Sequence, residues 1–402
     1  MIKVFPVLIL SLLLFTSRAA SQFTVSGIVK NEKGEPLNGA SIVCVELNKA
    51  TTSNADGYYH LDNLPSGAYS FRLRYLGFQE IVRKVSLTED VVLNVELSDK
   101  LYNLDEFEVI ANRLDERAPF TFTNLGRKEI NQFNRGQDIP FILQMTPSLI
   151  ATSDAGAGIG YTSMRLRGID QTRINVTVNG IPLNDAESHG VFWVNMPDFA
   201  SSLETVQIQR GVGSSTIGTG SFGGALVLNT FSQQVSPSIE ANVGWGSFDT
   251  RRYNLRLNSG LKRDHYNFEF RLSGISSDGY VDRASARLNS WYIAASRITE
   301  KSSLRLISFS GKERTYQAWW GVPEAKVRSD QDALRNHYLN NVGSIYFTVR
   351  DSINLFESDR RYNYYTYPDQ VDDYRQTHIQ LHYSRQMSNK WSFKTALNYT
   401  RG

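Results

Sequence analysis

From about residue 238 onward the chain alternates apolar and polar residues with a strict period of two, and this pattern restricts its fold more than any other feature. Ile239, Ala241, Val243 and Trp245 are every second residue, as are Tyr253, Leu255 and Leu257, then Phe268, Phe270 and Leu272. Leu304 and Leu306 follow, then Ile379, Leu381 and Tyr383, and finally Trp391, Phe393, Thr395, Leu397 and Tyr399. A period of two puts alternate side chains on opposite faces of a strand. One apolar and one wet face, repeated over segments of about ten residues, is the pattern of a transmembrane β-barrel. The expected connections agree. Short turns fall at 261–264, 300–302 and 388–390, and longer ones at 276–288 and about 312–376. A short connection near 248–250 keeps the count in phase. A secreted soluble sandwich alternates in the same way but has no need of that asymmetry.

The N-terminus reads as an export signal. Lys3 precedes an apolar run over 4–15 broken by Ser11, followed by small residues with cleavage sites after Ala19, Ala20 or Ser21. The run is too short for a spanning helix, which needs roughly 20 apolar residues. A membrane role then rests on a closed barrel, the other fold that satisfies every backbone group in lipid. Lys and Arg number 43 against 40 Asp and Glu, so the net charge of +3 gives no reason to expect nucleic acid as a partner. The single cysteine, Cys44, excludes an internal disulfide framework and thiolate zinc clusters; its alternating surroundings make it a small buried apolar residue.

Residues 1–21 are expected to be the signal peptide and 22–98 a small all-β domain. Alternating runs at 23–29, 40–45, 69–76, 81–87 and 91–97 are separated by turn signals at 31–36, 54–57 and 64–67, the spacing of a β-sandwich. Ser26-Gly27-Ile28-Val29, Gly34-Glu35-Pro36-Leu37-Asn38-Gly39-Ala40, Asp56-Gly57-Tyr58-Tyr59 and Leu64-Pro65-Ser66-Gly67-Ala68-Tyr69 resemble the carboxypeptidase-regulatory-like domain. That resemblance implies a transthyretin-like sandwich serving as a binding or spacer module, with no catalytic role. A linker over 99–114 leads into a mixed α/β domain over 115–232. There a helix is expected at 138–144 and strands at 164–167, 176–178, 206–209 and 225–228, with Gly-rich loops between them. Residues 233–402 are expected to begin a barrel.

Four stretches in order carry a second resemblance. They are Arg165-Leu166-Arg167-Gly168, Val176-Thr177-Val178-Asn179-Gly180-Ile181-Pro182-Leu183-Asn184-Asp185, Leu203-Glu204-Thr205-Val206-Gln207-Ile208-Gln209-Arg210-Gly211 and Gly223-Gly224-Ala225-Leu226-Val227-Leu228-Asn229-Thr230. Residues 105–402 resemble the TonB-dependent outer-membrane receptors. The resemblance implies a mainly β protein: the sandwich, then an α/β plug, then the first strands of a 22-stranded transmembrane β-barrel that is incomplete here. It implies outer-membrane lipids as surroundings and the N-terminal domain in the periplasm. Its partners would be TonB with its inner-membrane energising complex and an extracellular ligand. It implies no cofactor, no resident metal and no enzymatic activity.

Under that resemblance Asp105, Glu106, Phe107, Glu108, Val109, Ile110 and Ala111 are the TonB-box candidate, a segment that must add to TonB as an extended strand. The match is loose, because Phe107 and Glu108 replace apolar positions and Ile110 takes the place of Thr; a plain linker strand is the alternative. Arg165, Arg167, Glu204 and Arg210 are candidates for charge contacts between plug and barrel, against ordinary solvated charge. Plug apices are expected at 154–160 and 184–193, where His189, Phe192 and Trp193 are substrate candidates, with Trp193 equally suited to the core. Tyr316, Trp319 and Trp320 join them from the long loop, where clustered aromatics suit a ligand with flat or apolar faces or packing between loops. His378 and His382 share a strand face ~13 Å apart, too far to chelate one ion. The glycines at 211, 213, 218 and 220 do not form a nucleotide-binding pattern. The stretch 180–195 looks closer to ferric-citrate and siderophore receptors than to glycan importers, so a ferric chelate is the first expected ligand. A carbohydrate or cobalamin importer is the alternative, and a surface adhesion or scaffold protein the reading from another class.

Overall fold

A computed structural model describes residues 22–32, 34–75, 78–98, 121–212, 222–231, 234–262, 265–299, 301–388 and 391–402. The chain forms two compact units, Met1–Leu101 and Tyr102–Gly402.

The first unit is a sandwich of β1 (Gln22–Asn31), β2 (Ser41–Cys44), β3 (Lys49–Thr52), β4 (Tyr58–Pro65), β5 (Gly67–Arg74), β6 (Ile81–Leu87), β7 (Val91–Val92) and β8 (Val95–Leu97). One sheet runs β4-β1-β7, with β8 also on β1, and the other β3-β2-β5-β6. The period of two sends Val25, Val29, Ile42, Cys44, Tyr59, Leu61, Phe71 and Leu73 into one buried cluster. Cys44 lies in that core as a small apolar residue. Two strands lie outside the alternating runs. β3 reads Lys-Ala-Thr-Thr, an edge strand with no apolar rhythm. β4 continues through the turn signal at 64–67, because Leu64 is drawn into the core and the reversal falls at Ser66.

The second unit has an inner domain and a wall. The inner domain holds β9 (Thr121–Gly126), α1 (Arg127–Phe133), α2 (Ile139–Ile142), β10 (Leu149–Ser153), β11 (Thr162–Leu166), β12 (Ile169–Asp170), β13 (Ile174–Val178), β14 (Ile181–Pro182), β15 (Thr205–Arg210) and β16 (Gly224–Asn229). Its five-stranded sheet runs β14-β13-β16-β15-β9, and β10-β11-β12 forms a second, smaller one. β16 is buried along its whole length, which suits the continuous apolar run Ala225–Leu228. The expected helix at 138–144 is a single turn, α2, with Pro140 in its first turn; beyond Leu143 the chain leaves in a further turn, Thr146 N–H to Leu143 O at 2.8 Å. α1, which the periodicity does not announce, starts where Glu129 accepts the Gly126 N–H at 3.0 Å.

The wall is a seven-stranded antiparallel sheet in sequence order: β17 (Ser238–Gly246), β18 (Thr250–Asn258), β19 (Tyr266–Ser277), β20 (Ala286–Ile298), β21 (Ser302–Tyr316), β22 (Val371–Ser388) and β23 (Trp391–Arg401). Its burial is inverted relative to a soluble sheet. Trp245, Phe268 and Leu306 are 74%, 53% and 48% exposed, whereas Arg256, Glu269 and Arg271 are 2%, 3% and 1% exposed. Apolar side chains face outward and charged ones lie against the inner domain, the arrangement of a sheet with lipid on one side and a wet lumen on the other. β21 and β22 pair fifteen residues each, from Ser302↔Arg385 to Tyr316↔Val371, and so run past the expected loop boundaries. Lys312 to Thr315 look like loop because they are polar, but they continue the ladder. The long connection is therefore 317–370, and Tyr316 closes β21 with its side chain buried.

That connection is itself folded, with α3 (Glu324–Val327), α4 (Gln331–Asn341) and α5 (Val349–Glu357). Asp330 caps α4 through the Ala333 N–H, and Thr348 with Asp351 forms a capping box on α5. Leu334, Tyr346, Leu355 and Tyr362 form its core.

The inverted burial generates a test on β18, where Leu255 faces outward opposite Ala241 and Leu272. Leu255→Arg is expected to cost about 2–4 kcal/mol of folding stability in lipid, against about 0.5 kcal/mol or less on a water-facing sheet. Urea titration in vesicles distinguishes the two.

Candidate functional site: the inner domain docked on the wall

Asp198 is the centre of the contact. It lies between two short 3-10 turns, Trp193–Asn195 and Phe199–Ser202, with φ 51°, a left-handed conformation that Asp tolerates better than most residues. Its carboxylate is fully enclosed and accepts from both domains. From the wall, Arg252 Nη2 donates to Oδ1 at 2.8 Å, Asn254 Nδ2 to Oδ2 at 2.7 Å and Ser273 Oγ to Oδ2 at 2.6 Å. From its own domain, Ser201 Oγ donates to Oδ1 at 2.8 Å. Arg271 reaches the same loop from β19, with Nη1 on the Asp198 carbonyl at 2.9 Å and Nε on Ser202 Oγ at 2.8 Å. Burial by itself pushes the Asp198 carboxyl up, but Arg252, Arg271 and the two hydroxyls together hold it below the usual carboxylate range.

A second network lies beside it. Arg127 of α1 grips Glu240 of β17 with both oxygens, at 2.9 and 3.0 Å, and donates to Glu204 at 3.0 Å. Arg256 of β18 donates to Glu204 at 2.8 Å and to Glu269 of β19 at 2.7 Å, and Asn258 donates to Glu269 at 3.1 Å. Charge-assisted pairs of this kind are short and directional, and they tie the inner domain to β17 and β18, with Glu269 of β19 holding Arg256 in place.

Further hydrogen bonds and close packing add to these two networks. Ser290 Oγ donates to the Pro197 carbonyl at 2.6 Å, and Tyr292 donates to Thr230 Oγ1 at 2.9 Å. Phe199 packs on Phe309, with ring centroids 4.9 Å apart. At Gly311 of β21 the loop comes so near that a Cβ would lie 2.1 Å from the Asn195 oxygen and 2.6 Å from Pro197 Cδ. Only a glycine fits that approach.

Of the four charged candidates, Glu204 sits in the second network. Arg165 is exposed on β11; Arg167 donates to Thr121 at 3.3 Å; Arg210 donates to Thr123 and to the Pro147 carbonyl at 3.3 Å. Among the described residues these three arginines make no ion pair with the wall. Asp198 and Arg127, which the motifs do not single out, make the contacts instead. The wet face of β18, Arg252, Asn254 and Arg256, signals that carboxylates must lie opposite it without saying which, and nothing in the pattern announces Arg127.

The apices fall at the end of the wall that bears the long connections. Tyr280 donates its N–H to the Ala155 carbonyl at 2.8 Å, so the 154–160 loop touches the 278–285 connection. Tyr161 donates to Asp372 and packs edge-on against Trp319 at 5.3 Å. Behind this apex Asp138 is sealed in the inner domain, where burial pushes its carboxyl up to about 8 against one hydrogen bond from Thr162. His189 and Phe192 are exposed, and Trp193 is in the core with its Nε1–H unpartnered. A cavity of about 200 Å³ lies between Asn184, Asp185, Phe192 and Asn195 on one side and Gln376, His378 and Thr400 on the other. Trp319 and Trp320 are exposed and meet Tyr365 and Tyr364 at 6.4 and 5.2 Å. His378 stacks on Phe309 while His382 meets Phe231 edge-on, so each has its own partner. The segment Asp105 to Ala111 lies outside the described residues.

Two family models match: residues 25–109 the CarboxypepD_reg-like domain, and residues 115–225 the TonB-dependent receptor plug domain. The chain is 28% identical over 179 residues to the vitamin B12 transporter BtuB of Vibrio vulnificus (strain YJ016), covering 44% of this chain and 28% of that protein. It is 24% identical over 244 residues to the TonB-dependent receptor SusC of Bacteroides thetaiotaomicron, covering 57% and 23%. The structure of FpvA from P. aeruginosa bound to a heterologous pyoverdine and iron aligns with a TM-score of 0.53 at 14% identity, over 71% of this chain and 34% of that one. That likeness is one of fold. The chain spans about a quarter of the length of these curated relatives.

The close approach at Gly311 generates a test. Gly311→Ala is expected to loosen the inner domain from the wall by about 1–3 kcal/mol, because backbone atoms must move. Gly244→Ala, whose Cβ would meet Arg252 at an ordinary 3.9 Å, is expected to be neutral. Limited proteolysis of the inner domain reads the difference, and equal protection of both variants would contradict it.

Proposed function

With a TonB-dependent receptor plug domain behind a carboxypeptidase-regulatory-like domain, the chain belongs to the TonB-dependent receptors, and we propose that it serves active uptake of a large solute, a ferric chelate first, across the outer membrane. The observation that carries this reading is the polar seat around Asp198. An apolar interface in a water-filled lumen could be exposed only at a cost proportional to its area. Ion pairs and hydroxyl contacts exchange for water when the plug shifts, so they suit a domain that blocks the lumen at rest and gives way under load. In this reading 1–21 export the chain, the sandwich stands in the periplasm, and 105–111 takes the pull of TonB by strand addition.

The ligand would meet the apices from the side of the long connections. Phe192, Trp319 and Trp320 present exposed aromatic surface there, suited to the flat and apolar faces of a chelate. Tyr316 and Trp193 support this surface from below rather than form it. A second reading, cobalamin, draws on the 28% identity to a vitamin B12 transporter over 179 residues.

Deleting the gene is expected to slow growth under iron limitation and lower ferric-siderophore uptake. Unchanged iron uptake with lost cobalamin-dependent growth would transfer the substrate to the second reading. In the full-length protein Val109→Pro, which removes a strand donor, is expected to abolish uptake while leaving ligand binding intact. Normal uptake by that variant would sink the assignment of 105–111.

A further inference from the structure

The folded connection 317–370, together with Tyr280 of the neighbouring connection, lines a cavity of about 420 Å³. Three cations line it, Lys326, Arg360 and Arg361, against one carboxylate, Asp359. Lys326 comes from α3 and is 6% exposed. Its ammonium donates to the Ser358 carbonyl and lies 5.9 Å from the centre of the Tyr362 ring. An ammonium has three donors, and burial lowers the pKa of this one, with Asp359 and Asp282 acting in the other direction. Arg360 uses Nη2 on Ser329 Oγ at 3.2 Å. Arg361 uses Nε on the Tyr280 carbonyl at 2.8 Å, with Asp282 at 3.4 Å. Among the described residues the side-chain contacts of Arg361 are made from Nε, which leaves its two terminal amino groups to a ligand. Tyr280, Leu334 and Phe356 add apolar surface to the lining.

We propose that this cavity binds a phosphate ester, with Lys326, Arg360 and Arg361 on the oxyanion and Tyr280, Leu334 and Phe356 against its organic body. The guanidinium fork matches phosphate geometry, and a desolvated ammonium gains most from an anionic partner. The phosphate is carried either by a lipid headgroup or by a soluble ester. None of the residues that line the cavity is one of the aromatic residues proposed for the transported ligand, Phe192, Trp319 and Trp320.

The test uses full-length protein in detergent and isothermal titration with two probes: glycerol 3-phosphate, and micelles doped with phosphatidic acid. Arg360→Gln and Lys326→Met are each expected to weaken binding about tenfold. Arg251→Gln, on an exposed arginine paired to Asp249, is expected to change nothing. Binding of glycerol 3-phosphate supports a soluble source, and binding of the doped micelles alone supports a headgroup. Because Lys326 is buried, its variant is checked by hydrogen exchange in α4; Arg360 is at the surface and needs no such control. Absence of binding to either probe, or binding that survives Arg360→Gln in full, overturns the proposal.

Discussion

A carboxylate with no access to water has to be matched by donors that are equally enclosed, and Asp198 meets that condition only when the inner domain is seated on the wall. Burying an unpaired charge costs several kcal/mol, and the demand is mutual. Arg252 and Arg271 would lose Asp198 without the inner domain, and Asp198 would lose both cations without the wall, whereas Glu204 would keep Arg127 and Arg256 would keep Glu269. Each half presents a polar surface complementary to the other. The apolar side chains of β17–β22 are free to face outward because the inward face is satisfied in this way.

This arrangement makes the docking specific. The directions of the Asp198 and Glu204 contacts fix the seat, and the close approach at Gly311 admits no other register. The same groups are strongly hydrated when exposed, so separation at the polar contacts replaces protein donors with water, while the packing of Phe199 on Phe309 adds an apolar part to the seat.

The wall was legible in the sequence because its period of two survives every substitution of detail. Alternation assigns two faces, and the resemblance to a barrel says which one is wet. The strand ends were less legible. Lys312 to Thr315 are polar on both faces and resemble loop, yet their ladder with Asp372 to Arg375 is complete. In the sandwich, Leu64 and Pro65 look like a turn, but Leu64 is claimed by the core. Asp198 was illegible for a different reason. It lies in an irregular stretch with no periodicity, in a left-handed conformation, and its partners are more than fifty residues away on β18 and β19. The motifs point to Arg165, Arg167, Glu204 and Arg210; Arg165 and Arg210 stand in strands and Arg167 in the turn after β11, and among the described residues Glu204 is the one of the four that ion-pairs with the wall. Trp193 and Tyr316 show the same limit: an aromatic residue near an apex is as easily a support as a contact.

The account stands or falls on the coupling between Asp198 and the wall, and a double-mutant cycle on Asp198→Asn and Arg252→Gln measures it directly, with release of the inner domain followed by hydrogen exchange of the β15 amides in urea. The two changes are expected to be strongly non-additive, with an interaction energy of about 1–3 kcal/mol. Strict additivity would mean that the carboxylate and the guanidinium do not hold the inner domain in place, and would contradict the account.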